Sequence, residues 1–241
     1  MDVSTPHTIP QPQRNYRYLD LVMVGFVTVY LCSNLIGPAK AAQVDLPLIG
    51  AFTFGAGVLF FPLSYVFGDL LTEVYGYAEA RKVIWAGFGA MCFAAFMATV
   101  VVALPPSPSW PNQAAYELIF GQTPRIVMAS LIAYFCGEFV NSFVLAKMKL
   151  ADGGKRMGWR FVVSTVCGEG IDSLIFYPVA FYGIWGNDLL FNVMAAQWGL
   201  KVAVEILFLP LTLRIVRALK KAESEDYYDR NTKFTPFSLK Q

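Results

Sequence analysis

Five side chains able to carry charge interrupt otherwise apolar runs of this chain: Glu138, Glu169, Asp172, Lys201 and Glu205. An ionised group near the middle of a bilayer costs about 2.5–3.5 kcal/mol on insertion scales, so such residues face a partner or a polar interior. Carboxylates accept hydrogen bonds and an ammonium donates them. Four carboxylates stand against one ammonium, which leaves three negative charges over if all ionise. A surplus of buried acceptors calls for protons, for a cation, or for a ligand rich in N–H donors. The alternative is an ion network that only fixes helix packing, and the charge surplus argues against it.

The elements that hold these residues are membrane helices. The chain is 56% hydrophobic and 15% charged over 241 residues, whereas a soluble domain is nearer 45–50% apolar and about a quarter charged. A helix crossing about 30 Å of hydrocarbon needs about 20 apolar residues. Six segments qualify, at residues 19–38, 47–68, 82–104, 124–147, 160–185 and 189–216. The expected fold is an all-α integral membrane protein, six transmembrane helices in one bundle. Residues 1–17 and 218–241 are expected to form polar tails on a single membrane domain at 18–217. Between the third and fourth spans, Pro105-Pro106-Ser107-Pro108 opens a loop whose Trp110, Tyr116 and Phe120 suit the membrane interface.

All lysines and arginines except Lys40, Arg125 and Lys201 fall on one side if the N-terminus is cytoplasmic. The positive-inside rule then places both termini in the cytoplasm. At 1.5 Å per helical residue, Glu138, Glu169 and Glu205 lie about 14 Å deep, Asp172 about 18 Å and Lys201 about 20 Å. Three helices thus bring their charges to one layer. Glu138 and Asn141 are spaced i, i+3 and share a face, as do Thr165, Glu169, Asp172 and Ser173. Lys201 precedes Glu205 by four residues, the weaker order for a pair within a helix. Lys201 is therefore expected to reach across to Glu169 or Asp172.

A second acidic group, Asp69, Glu73 and Glu79, lies where the second span meets the cytoplasm beside Arg81 and Lys82. It reads equally well as a solvated helix end or, at Asp69, as the inner mouth of a polar path. Ser33-Asn34 is either a packing contact or part of an outer gate. Ala86, Ala90, Ala94 and Ala98 form a ladder of small residues that permits close helix packing. It also offers a docking face to another protein, a homodimer included. Cys32, Cys92, Cys136 and Cys167 lie singly in apolar spans and read as small core residues. His7, the one histidine, is in the tail, which removes Ser–His chemistry and a His-held metal from the interior. No metal, cofactor or nucleic acid is expected, and the near-neutral charge of +2 agrees. An aspartyl hydrolase needs two facing aspartates, and Asp69 and Asp172 sit at different depths, so no enzyme is expected.

The run from Phe61-Pro62-Leu63-Ser64-Tyr65 through Gly68-Asp69-Leu70-Leu71-Thr72-Glu73 to Ala80-Arg81-Lys82 resembles the queuosine precursor transporters, also called vitamin-uptake-like transporters. Glu138 through Asn141 to Ala146-Lys147-Met148-Lys149 agrees with it, as does Arg160 through Ser164-Thr165 to Ile171-Asp172-Ser173 and Phe176. The resemblance covers nearly the whole chain outside the tails. Some members carry glutamine where this chain has Glu169. It implies a multi-pass protein of the bacterial inner membrane that imports 7-deazaguanine bases for queuosine in tRNA, by proton coupling or by facilitated diffusion. Such a base shows N1–H and amino donors side by side, which one carboxylate accepts as a planar pair. Glu169 and Asp172 are the first candidates to hold it, with Glu138 and Asn141 opposite. Lys201 and Glu205 balance the site, and Asp69 lines its approach. Tyr134, Phe176 and Trp198 are candidates to stack on the ring. The rival reading is the substrate-capturing subunit of an energy-coupling-factor importer.

Overall fold

The structure is a computed structural model that describes residues 15–36, 41–46, 50–55, 60–121 and 124–238. Helices form along the apolar runs. They are α1 (Leu19–Leu35), α2 (Phe61–Leu70), α3 (Tyr77–Ala103), α4 (Gln113–Phe120), α5 (Pro124–Asp152), α6 (Met157–Phe181) and α7 (Asn187–Glu223). By length and composition, α3, α6 and the stretch Gln113–Asp152 that contains α5 can cross a membrane. The shorter helix α1, 17 residues and predominantly apolar, extends about 25 Å. Leu21, Phe93 and Leu207 on the outside are at least two-thirds exposed, while Asp69, Glu73, Arg81, Lys149, Arg160 and Glu205 are buried. An apolar exterior around a charged interior suits a lipid surrounding. Ala86 is exposed, and Ala90, Ala94 and Ala98 are only part-covered.

One stretch departs from the sequence expectation. Residues 47–68 read as a single helix, but α2 begins only at Phe61. Before it, β1 (Ala41–Leu46) pairs antiparallel with β2 (Gly50–Gly55), from Ala41 opposite Gly55 to Leu46 opposite Gly50. Glycine costs a helix about 1 kcal/mol against alanine, and Gly50 and Gly55 bracket this run. Phe52, Thr53 and Phe54 prefer a strand. A two-stranded hairpin is thus added to the helical bundle.

Directly after α2 comes a π-helical turn, Leu71–Tyr75, every residue of which is buried. Gly76 ends it at φ 87°, and a Cβ there would run into the Tyr227 ring. Chain direction and packing both require glycine at this position. α5 and α6 form a hairpin joined through Gly153 and Gly154, at φ 61° and 83°. Asp152 accepts from the amides of Gly154 at 2.8 Å and Arg156 at 3.2 Å, which fixes the turn. The two helices touch at Gly137 and Gly168. A Cβ on Gly168 would stand 2.7 Å from Asn141 Cβ and 2.9 Å from the Gly137 carbonyl oxygen. Gly168→Ala is therefore expected to cost about 1–3 kcal/mol. A lower thermal midpoint in detergent measures it; an unchanged midpoint would show that the helices have room.

Past α7, residues 224–238 fold back over one end of the bundle. Asp229 accepts from the Tyr77 amide at 3.1 Å, and Arg81 donates to the Lys233 and Thr235 carbonyls, each at 2.8 Å. Trp85 donates to the Pro236 carbonyl, and the Lys147 ammonium lies 3.8 Å over the Phe234 ring. Burial opposes ionisation of Glu223, but the Tyr75 hydroxyl and the Arg17 and Tyr18 amides outweigh it and hold its carboxyl below the usual range. Burial also opposes Asp226, and Lys149 and Lys220 outweigh it with the same result. Carboxylates lowered in this way stabilise the fold above their unfolded pKa, and the contribution is lost as pH falls through the folded value. Asp229, raised mainly by burial, contributes with the opposite sign. Docking of 224–238 is expected to hold above about pH 4.5 and to weaken progressively below about pH 4. Amide exchange of this segment, corrected for intrinsic rate, checks it.

Candidate functional site

The polar layer is assembled where α5, α6 and α7 meet. Glu169 and Asp172, one turn apart on α6, face α7. Lys201 crosses to both, its Nζ donating to Glu169 Oε2 at 2.6 Å and Asp172 Oδ2 at 2.8 Å. The three side chains remain 15–23% exposed, so the bridge is open to a ligand.

On α5, Glu138 and Asn141 lie one turn apart against the bare backbone of α2. A Cβ on Gly68 would stand 3.6 Å from Glu138 Oε2 and 3.8 Å from Asn141 Nδ2. Glu138 lies within electrostatic reach of Glu169, Asp172 and Lys201. Asn141 Oδ1, Ser173 Oγ and the Tyr30 and Tyr134 hydroxyls are buried and have no hydrogen-bond partner among the described residues. The Tyr30 and Tyr134 rings stack at 3.9 Å and 24°. Both tyrosines feel the charge of Glu138, and Tyr134 precedes it by one helical turn. Unsatisfied buried polar atoms cost about 1–3 kcal/mol each, which makes Asn141, Tyr30 and Tyr134, grouped around Glu138, a candidate site.

Of the ring candidates, Tyr134 is inside this group. Trp198 is part-exposed and donates to the Val166 carbonyl, and Phe176 packs edge-on against Tyr177 and Phe181. Tyr30 went unread in the sequence. Its one signal is a phenol in an apolar run just before Ser33 and Asn34, whose side chains bond back to the Tyr30 carbonyl at 2.8 and 2.9 Å. Ser130 donates to Asn34 Oδ1 at 3.3 Å, so that pair joins α1 to α5.

Asp69 and Glu205 stand apart from the Lys201 bridge. They face each other between α2 and α7, 1% and 0% exposed, and no N–H or O–H donor of the other described residues reaches any of their four oxygens. Glu73 is different again. Arg160 grips its carboxylate with two bonds of 2.9 and 2.7 Å, Lys220 meets Oε1 at 2.5 Å, and Lys149 stands 3.5 Å away. Lys149 also donates to the Glu73 carbonyl, to Asp226 and to the Tyr227 carbonyl, and Asp152 backs Arg160. Glu73 is therefore the fully buried centre of an ion cluster, not part of a solvated helix end. Glu79 pairs with Lys82 at 2.7 Å. Among the described residues, no three of His, Cys, Asp and Glu stand together as a metal set.

A helical membrane bundle with carboxylates, an ammonium and unsatisfied polar atoms gathered between its helices belongs to the class of multi-pass membrane transporters. A family model described as "putative vitamin uptake transporter" matches residues 55–215, and the chain belongs to that family. It is 32% identical over 190 residues to a probable queuosine precursor transporter of Bacillus subtilis, across 78% of this chain and 80% of that one. To the queuosine precursor transporter of Escherichia coli it is 27% identical over 188 residues, across 78% and 77%. A probable queuosine precursor transporter of Haemophilus influenzae shares 23% over 127 residues, 52% of this chain and 51% of the other. No solved structure matches the chain significantly.

Proposed function

We propose that the protein imports queuosine precursors, 7-deazaguanine bases, into the cytoplasm across the bacterial inner membrane. It spans that membrane six times with both termini inside, and it exposes the polar layer to one side at a time. The observation that carries this reading is the state of Glu138. Glu169 and Asp172 each give an oxygen to Lys201. Glu138 makes no hydrogen bond among the described residues and has the unsatisfied Asn141, Tyr30 and Tyr134 around it. This supports the Glu138 carboxylate, rather than those of Glu169 and Asp172, as the acceptor of the N1–H and amino donors of the base together. Asn141 and the phenols supply donors for the ring carbonyl, and the Tyr134 face offers a stacking surface. Glu169, Asp172 and Lys201 close the other side and release or regain one another as the base enters or leaves.

The test is complementation. The chain is expressed in a strain that can neither make nor import queuosine precursors, and queuosine in its tRNA is measured after each 7-deazaguanine is supplied. Restored queuosine supports the assignment, and no restoration by any of them rejects it. Copurification of an ATPase module on which uptake depends would instead make the chain a capturing subunit.

A further inference from the structure

The facing carboxyls of Asp69 and Glu205 are buried but take no part in holding the base. Their surroundings are specified from every side. Asp69 faces Glu205 on α7, Glu73 on the π turn and Glu138 on α5. Glu205 faces Asp69 and, on α6, Glu169. All of these are acids. Lys201, one turn earlier on α7, is bonded to Glu169 and Asp172, and Arg160, Lys149 and Lys220 gather at Glu73. Two facing carboxyls that are buried and receive no donor from the other described residues are not both ionised in this conformation; one proton between them turns repulsion into an O–H···O⁻ hydrogen bond. The pair is also well placed to respond to the site. Asp69 directly follows Gly68, whose missing side chain admits Glu138 and Asn141. Glu205 follows Lys201 by one turn. A π-helical turn begins two residues after Asp69, the kind of irregularity that recurs at functional sites in helices.

We propose that Asp69 and Glu205 together bind one exchangeable proton, and that uptake of the base is coupled to its inward passage. The cycle balances simply. An O–H bond forms on one of the two carboxylates from the outer side with the base bound. It breaks toward the inner side as the base leaves, when opening of the cavity to water lets both carboxylates stand ionised until the next proton arrives. The proposal rests on the import reading, and the experiment separates the two.

Purified protein in liposomes is given labelled 7-deazaguanine base. Counterflow, the entry of label driven by unlabelled base inside, needs only a working carrier and tests the import reading. A gradient of one pH unit, alkaline inside, then tests the proton. At one proton per base, accumulation of about tenfold is expected, together with base-dependent acidification of the lumen seen by a trapped pH dye. Counterflow without either signal in the native chain overturns the proton site and leaves import standing. No counterflow at all overturns import, and the proton proposal with it. Glu205→Gln and Asp69→Asn are each expected to let the base equilibrate while accumulation falls to unity and the dye signal disappears. Gradient-driven accumulation that persists in both variants places the coupling proton elsewhere and overturns the assignment. If both variants prove inactive in counterflow, Glu205→Asp decides. It keeps the titratable group and is expected to restore the dye signal, and a silent signal with intact counterflow rejects the pair.

Discussion

Glu138→Gln is expected to weaken uptake of the base about a hundredfold in uptake efficiency, with the protein still folded and inserted. A hydrogen bond to a charged group is worth about 1.5–3 kcal/mol. The amide keeps the shape of the carboxylate but presents one acceptor and one donor to two N–H groups. One bond is lost and a donor clash replaces it, a loss of about 3 kcal/mol, which is roughly two powers of ten. Competition by unlabelled bases provides the finer reading. A purine analogue lacking the amino group loses little in the variant, because the amide oxygen still accepts its one N1–H and there is no second N–H for the amide to clash with. If Glu138→Gln transports normally while Glu169→Gln or Asp172→Asn does not, the recognition edge lies on α6 and Glu138 has another role.

The second large effect concerns stability. Glu73→Gln removes the charge on which Arg160, Lys149 and Lys220 converge, and Arg160 and Lys149 are themselves buried. Breaking a buried pair by deleting one partner costs about 3–5 kcal/mol, because the partner's charge stays behind in a poor solvent. The variant is expected to be recovered in low yield with a sharply lower midpoint of unfolding in detergent. The double variant Glu73→Leu with Arg160→Leu should lose less than Glu73→Leu alone, since it leaves one fewer stranded cation. Equal losses would mean that the bidentate Arg160 contact adds nothing and that the lysines alone hold the cluster.

How far these sites were legible follows from what each one depends on. The charged layer was visible because an acid in an apolar run is conspicuous by itself, and helical spacing then set its face. The reach of Lys201 to α6 followed from the unfavourable order of Lys201 and Glu205 along α7. The Glu73 cluster had no such signal, because Lys149 and Arg160 lie 76 and 87 positions away in the sequence and Lys220 lies 147 away. Spacing within a segment cannot report contacts between segments. The hairpin was hidden for another reason. Residues 47–68 satisfy an apolar count whether the chain is helical or extended, and the glycines at 50 and 55 with the strand-preferring Phe52, Thr53 and Phe54 marked the difference. Tyr30 was missed because a lone phenol in a span has the same appearance as packing.

The tail at 224–238 also sets an order of events. Asp226, which neutralises Lys149 and Lys220, and the Tyr227 carbonyl that receives Lys149 both lie in it. A chain is made from its N-terminus at about 5–20 residues per second, and its earlier parts settle first. α5 and α6 therefore enter the bilayer carrying Lys149 and Arg160 before the residues that complete their surroundings have left the ribosome. Residues 224–238 thus act as a late stitch around Lys149 and Lys220. A stop codon placed after α7 would spare helices α1 to α7 and still deliver a molecule to quality control in which Lys149 lacks Asp226 and the Tyr227 carbonyl.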